Sequence, residues 1–291
     1  MYKLRISFYF LFLLFSLSSV GLLAQTAEEE KTEASEEEEE SGYLDDIVAR
    51  SLMKEQRILD YQPIREADVV WEKRIWRVLD VREKMNLPFI YPVRPFFQIL
   101  IQAAENGDIR IFREDNFRKF VTGEELDKLL HRVDTVVVTD PDTYEEKVEI
   151  RKSDIDFNDI KTYRVKEMWY FNKQTSRLEC RILGIAPIKD EYDDAGNLKY
   201  TLPMFWIYYP EARKLLSREK VFNDQNDAAP NTWADVFDYR FFSSYIIKES
   251  NVQDNRLSDI FKGENDGVKL LLESEKIKND ILNKEHDLWT Y

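Results

Sequence analysis

The stretch Asp68–Pro92, DVVWEKRIWRVLDVREKMNLPFIYP, sets two tryptophans five residues apart in a dense mixture of both charges. How it is read decides how the first third of the chain folds. At about 100° per residue, Trp71 and Trp76 fall about 140° apart on a helix, so one apolar stripe cannot easily hold both. Trp71, Ile75, Val78, Leu79, Val81 and Met85 share one arc, which predicts a helix from about Asp68 to Asn86, halted by Pro88. In that helix Trp71 belongs to the core. Trp76 lies almost opposite, between Glu72, Lys73, Asp80 and Glu83, and needs either a cover from another segment or a partner. Arg82 falls inside the apolar arc and must reach past it to solvent or meet a buried carboxylate.

Towards the N-terminus, MYKLRISFYFLFLLFSLSSVGLLAQ has a short positive start at Lys3 and Arg5 and an apolar run from Ile6 to Ala24. Small residues near its end mark a secretory signal peptide, residues 1–24, cleaved near Ala24. The rival reading is an uncleaved membrane anchor. No cysteine lies near the junction, so an acyl anchor on this chain is not expected, nor is a span in the mature protein. Residues 25–42 form an acidic tether. Glu28–Glu40 carries nine Glu and one Lys and no aromatic residue, too little apolar surface to offset the entropy of ordering. The net charge of −14 becomes −16 without Lys3 and Arg5, and about −8 once the tract is set aside. That modest acidity argues against nucleic acid or anionic lipid as a principal partner.

Residues 43–291 are read as a single α+β domain: helical over 43–134, sheet-rich over 135–210 and helical over 211–291. A helix is expected over Tyr43–Leu59. Pro95 near the start and Gly107 past the end frame another in FFQILIQAAENG, DIRIF alternates like a short strand, and Thr122 with Glu125 forms a capping-box pattern for a helix over Glu124–Arg132. From Thr135 the period shifts towards two, giving strands at TVVV, KVEIR, TYRVKEMWYF, RLECRILGIAPI and KYTLPMFWIYY. Short turns between them favour an antiparallel meander. Helices return at EARKLLSREKVF, TWADVFDYRFFSSYIIKE, RLSDIF and VKLLLESEKIKNDILNKEHDLW. Helices, then sheet, then helices make an α+β architecture of N-terminal helices, a central mainly antiparallel sheet and C-terminal helices.

Catalytic signatures are lacking. There is no Gly-x-Ser-x-Gly, no Walker loop and no dinucleotide-binding glycine pattern, and eight glycines in 291 residues disfavour phosphate-cradling loops. The two histidines, His131 and His286, have no metal-ligand spacing, so no catalytic, cofactor or metal residues are expected. DIDFNDI, Asp154–Ile160, starts like a calcium loop but has Asp159 where the turn needs glycine and Val165 where the bidentate Glu belongs. The lone Cys180 alternates with Leu178 and Ile182 as a buried strand thiol, and one cysteine allows no internal disulfide. An alternative function is a periplasmic carbohydrate-binding or carbohydrate-active protein, with Trp169, Tyr170, Trp206, Tyr208 and Tyr209 lining a sugar groove; the competing reading places these rings in the core and in cross-strand pairs.

Two features point to protein contacts. One is Trp76 on the charged side of its segment. The other is the C-terminal helix, where Leu270, Ile277, Ile281 and Leu288 form an apolar stripe and the chain ends HDLWTY, with Trp289 and Tyr291 lost to solvent unless they pack on the domain or a neighbour. Trp76, Ile281, Leu288, Trp289 and Tyr291 are the candidate interaction residues.

DVVWEKRIWRVLDVREKMNLPFIYP, with KTYRVKEMWYFNKQTSRLECRILGIAPI and MFWIYYPEARKLL, resembles the GldN (PorN) family. The Trp-x4-Trp arrangement followed by Asn-Leu-Pro is the more distinctive part, and the likeness covers the chain beyond the acidic tether. The resemblance implies a non-enzymatic periplasmic component of the type IX secretion system associated with gliding motility. It further implies a ring beneath the outer membrane built with the outer-membrane lipoprotein GldK (PorK), and a link to the periplasmic part of GldM (PorM). A head-to-tail ring needs two different patches on each subunit.

Overall fold

Asp68–Pro92 opens as a strand. In the computed structural model β1 runs Val69–Asp80 and is followed by a 3-10 helix, Lys84–Ile90. The structure describes residues 47, 56–139, 146–155, 157–192, 198–226, 228, 229, 231–261 and 266–289. The expected leader, the acidic tether and most of the helix expected over Tyr43–Leu59 lie outside them. Met1–Ser51 and Leu52–Tyr291 are separate units, and all that follows concerns the second.

The helix expected over Asp68–Asn86 is therefore corrected to a strand. The spacing Trp71, Ile75, Leu79 fits both periods, because steps of four return to the same face of a strand as well as of a helix. Val69, Val70, Ile75 and Val78 favour the extended form. Five residues is an odd number, so Trp71 and Trp76 face opposite sides of the sheet. Residues 75–79 are all buried because both sides are covered there. Met85 falls outside the core and is exposed, as is Arg82, which pairs with Asp80.

After β1 come α1 (Phe96–Glu105), β2 (Ile111–Phe112) and α2 (Gly123–Leu130), where Thr122 and Glu125 exchange the capping-box bonds expected of them. Next are β3 (His131–Thr139), β4 (Glu146–Asp154), β5 (Thr162–Asn172), β6 (Arg177–Tyr192), β7 (Leu198–Pro203) and β8 (Trp206–Tyr208). The chain closes with α3 (Tyr209–Leu216), α4 (Trp233–Asp238), β9 (Tyr245–Glu249), α5 (Leu257–Ile260) and α6 (Asp266–Trp289). The helix expected over 232–249 is thus two elements. Thr232 and Asp235 cap its first turn reciprocally, Arg240 leaves it at φ +59°, and YIIKE pairs with β1.

The architecture is α+β. A seven-stranded antiparallel sheet has the order β2-β8-β6-β5-β1-β9, with β7 on the far half of β6; β3 and β4 pair separately. β5-β6-β7 and, in its own sheet, the β3-β4 pair follow the expected meander, and β1 crosses in from the N-terminal side to lie between β5 and β9. The main core packs Phe89, Phe96, Trp233 and Phe237 around Tyr163 of β5, ring against ring. Buried Asn86 ties three pieces together. Its Nδ2 donates to the carbonyls of Asp80 and Ser243 at 2.7 and 2.9 Å, and its Oδ1 accepts from Ser243 N.

Candidate functional site

The sheet face that carries Trp71, Ile75 and Arg77 of β1 also carries Val165, Glu167 and Trp169 of β5. Glu167 is wholly enclosed and collects four donors: Arg77 Nε at 3.0 Å, Arg240 Nη2 at 2.8 Å, Trp169 Nε1 at 2.9 Å and the Cys180 thiol at 3.8 Å. Arg240 reaches the carboxylate from the loop after α4, its guanidinium held near the rings of Trp169 and Phe242. Its positive φ turns the chain so that this side chain enters while Tyr239 and Phe241 on either side stay outside. Cys180 of β6 borders the cluster, with its Sγ 3.3 Å from Arg240 Nη1. Burial, then the charge of Glu167, pushes the thiol well above its ordinary pKa, so it is no thiolate nucleophile.

On the opposite face, Trp76 sits beside Lys166 of β5 and Lys248 of β9 in the sheet register. The segment 113–119 folds over them. Trp76 Nε1 donates to Asp115 Oδ2 at 2.9 Å, and Lys166 donates to the backbone carbonyl of Asp115. Lys166 and Lys248 lie 5.5 and 4.6 Å from the indole centroid. Phe117, at φ +56°, presses its ring onto Gly184, where a Cβ would come within 2.5 Å of Phe117 Cζ. Arg164, one step along β5, is also buried, and its Nε is enclosed without a hydrogen-bond partner. Burial, then repulsion from Arg256, pulls its pKa down to about 10. Lys166 is likewise lowered, chiefly by burial.

Of the candidate interaction residues, Trp76 is covered by this chain's own segment 113–119. Ile281 is buried with Ile75, Ile246, Leu257 and Ile277 where α6 packs on the sheet. Ser274 of α6 adds a hydrogen bond from Ile246 N at 2.7 Å. Leu288 and Trp289 end α6, and Tyr291 lies outside the described residues. The opposite side of α6 exposes Val268, Leu271 and Leu272. These outward positions lie off the apolar stripe of Leu270, Ile277, Ile281 and Leu288 that the helical period picks out. The signal for Glu167 in the sequence is a carboxylate between Val165 and Trp169, at an inward strand position.

The aromatic residues considered for a sugar groove are mostly interior: Tyr170, Trp206 and Tyr209 are buried, and Tyr209 donates to Asp238. Among the described residues no group of three or more His, Cys, Asp or Glu is arranged to hold a metal, and no helix is long and apolar enough to cross a membrane.

An antiparallel sheet with buried ion clusters on both faces and an apolar helix flank defines an α+β protein. The sequence profile of one family, described as gliding motility associated protein GldN, matches residues 64–290. The chain belongs to the GldN family and is a gliding motility associated protein. No curated protein matches it.

Proposed function

We propose that this protein is a non-enzymatic structural component of the type IX secretion and gliding motility machinery. The family match across residues 64–290 carries the reading. The protein is exported to the periplasm and works at the inner face of the outer membrane, in a ring with a lipoprotein of the GldK (PorK) kind. It connects that ring to the periplasmic part of a GldM (PorM) protein. A closed ring requires two different contact patches per subunit. One is the outward side of α6, where Val268, Leu271 and Leu272 stand exposed near its N-terminal end. The other is the loop cap over Trp76. Its exposed Phe120 stands beside Arg110, whose guanidinium lies 5.7 Å from the ring centroid.

Co-purification from cells producing Leu271→Asp/Leu272→Asp tests the first patch. The folded variant is expected to lose the ring and at least about 2 kcal/mol of association, as for a central interface residue. Retention of a full ring with the lipoprotein would remove α6 from the assembly. A monomer that never meets a lipoprotein, with the wild-type chain, would overturn the function itself.

A further inference from the structure

A cavity of about 340 Å³ opens between α6, the loop 240–244 and the sheet face that carries Glu167. Its polar lining among the described residues is Arg77, Arg240, Lys278, Ser243 and Ser244, and no carboxylate is among them. Arg77 is the informative residue. It is 6% exposed, its Nε is committed to Glu167, and Nη1 and Nη2 have no partner among the described residues. Neither Nη is among the fully enclosed orphan nitrogens, and Arg77 lines the cavity. The hydroxyls of Ser243 and Ser244 are also uncommitted. A guanidinium edge buried this deeply and left unpaired is costly unless something accepts its hydrogen bonds.

We infer that this cavity binds a monoanionic carboxylate carried on an apolar group. The charge argument sets the monoanion. Arg77 and Arg240 share Glu167 and Lys278 pairs with Glu275 at 3.1 Å, which leaves one positive charge unanswered among the described residues. The geometry sets the carboxylate, because the two amino groups of one guanidinium edge match its two oxygens. The rest of the lining sets the apolar body: Trp169, Phe242, Ile281 and Leu282 would shield it, and would desolvate a phosphate dianion at a cost these donors do not offset.

The source of the carboxylate is a free small acid or an acidic side chain of a partner protein, and calorimetric titration of the full chain separates them. Benzoate is expected to bind saturably, with benzamide and inorganic phosphate at least about tenfold weaker. Lys278→Met, at an exposed position, should weaken benzoate about threefold. Ser244→Leu, which fills the cavity, should abolish binding while thermal melting shows an intact fold. Equal binding of benzoate and benzamide, tighter binding of phosphate, or no effect of either variant would overturn the inference. So would an absence of benzoate binding together with an absence of binding by acetyl-Phe-Glu-Phe-amide. If that peptide binds more tightly than benzoate and its Gln version does not, the source is a partner's side chain. If it binds more weakly, the ligand is a free acid.

Discussion

The two faces of the sheet bury their charges in opposite ways. On the face of Arg77, two guanidiniums and an indole N–H converge on one enclosed carboxylate, so both buried cations share an ionic partner. On the face of Trp76, the acid that meets the cations, Asp115, is itself partly open to water. Lys166 relies on a carbonyl, Asp115 and two aromatic rings, and Arg164 has no hydrogen bond or ion pair among the described residues. The first arrangement joins elements far apart in sequence, since Arg240 is 73 residues from Glu167. The second holds down a short local cover. Pairing depth, rather than the number of charges, separates a structural lock from a lid.

The largest effect should come from breaking the lock. Glu167→Gln keeps the volume but leaves two guanidiniums beside an uncharged amide. Removal of one partner from a buried ion pair costs about 3–5 kcal/mol. Urea denaturation should show that loss, and the loop 239–244 should become more open to amide exchange than the strands. A loss below about 1 kcal/mol would mean that the cluster is already hydrated in the native state.

How much of this was legible follows from the same contrast. The strands β5 and β6, the capping of α2 and the span of α6 could be read because each follows one period without ambiguity. β1 could not, since Trp71, Ile75 and Leu79 satisfy the helical and extended periods alike. The decisive clue was the interval between the tryptophans, which forbids a single helical stripe but suits a strand covered on both sides. TWADVFDYRFFSSYIIKE was read as one helix because its apolar residues are too dense to show a break. The break lies at Arg240, whose backbone turns to φ +59° and whose side chain ends on Glu167. Local patterns reveal periods and caps; they do not reveal which distant arginine meets which carboxylate.

On the other face, removal of a charge should help. Arg164 stands between Ala186 and Val78 in the strand register, with a buried Nε and a depressed pKa. Arg164→Met replaces it with a flexible apolar chain of similar length. Buried ions without adequate partners are often exchanged for apolar residues with a gain of about 1–4 kcal/mol, and the lower end is expected because a little of this side chain still reaches water. A rise in urea midpoint at unchanged slope would record it. A fall would show that Arg164 holds a partner in solution and that the two faces are closer in kind than their geometry indicates.

The smallest effect belongs to Trp76 itself. Trp76→Phe keeps an aromatic face for Lys166 and Lys248 but deletes the 2.9 Å bond to Asp115. A net hydrogen bond to a charged acceptor contributes about 1.5–3 kcal/mol, and part of it is recovered here because Asp115 keeps Lys166 and is partly open to water. The expected cost is about 1 kcal/mol. Coupled substitution with Asp115→Asn separates the pair from its surroundings: a coupling energy near that value assigns the cover to this one bond. A coupling near zero would assign it to Phe117 seated on Gly184 instead, where the missing Cβ leaves room for the ring. In that case Gly184→Ala, not Trp76→Phe, would lift segment 113–119 from the sheet, and amide exchange at residues 113–119 would report the difference.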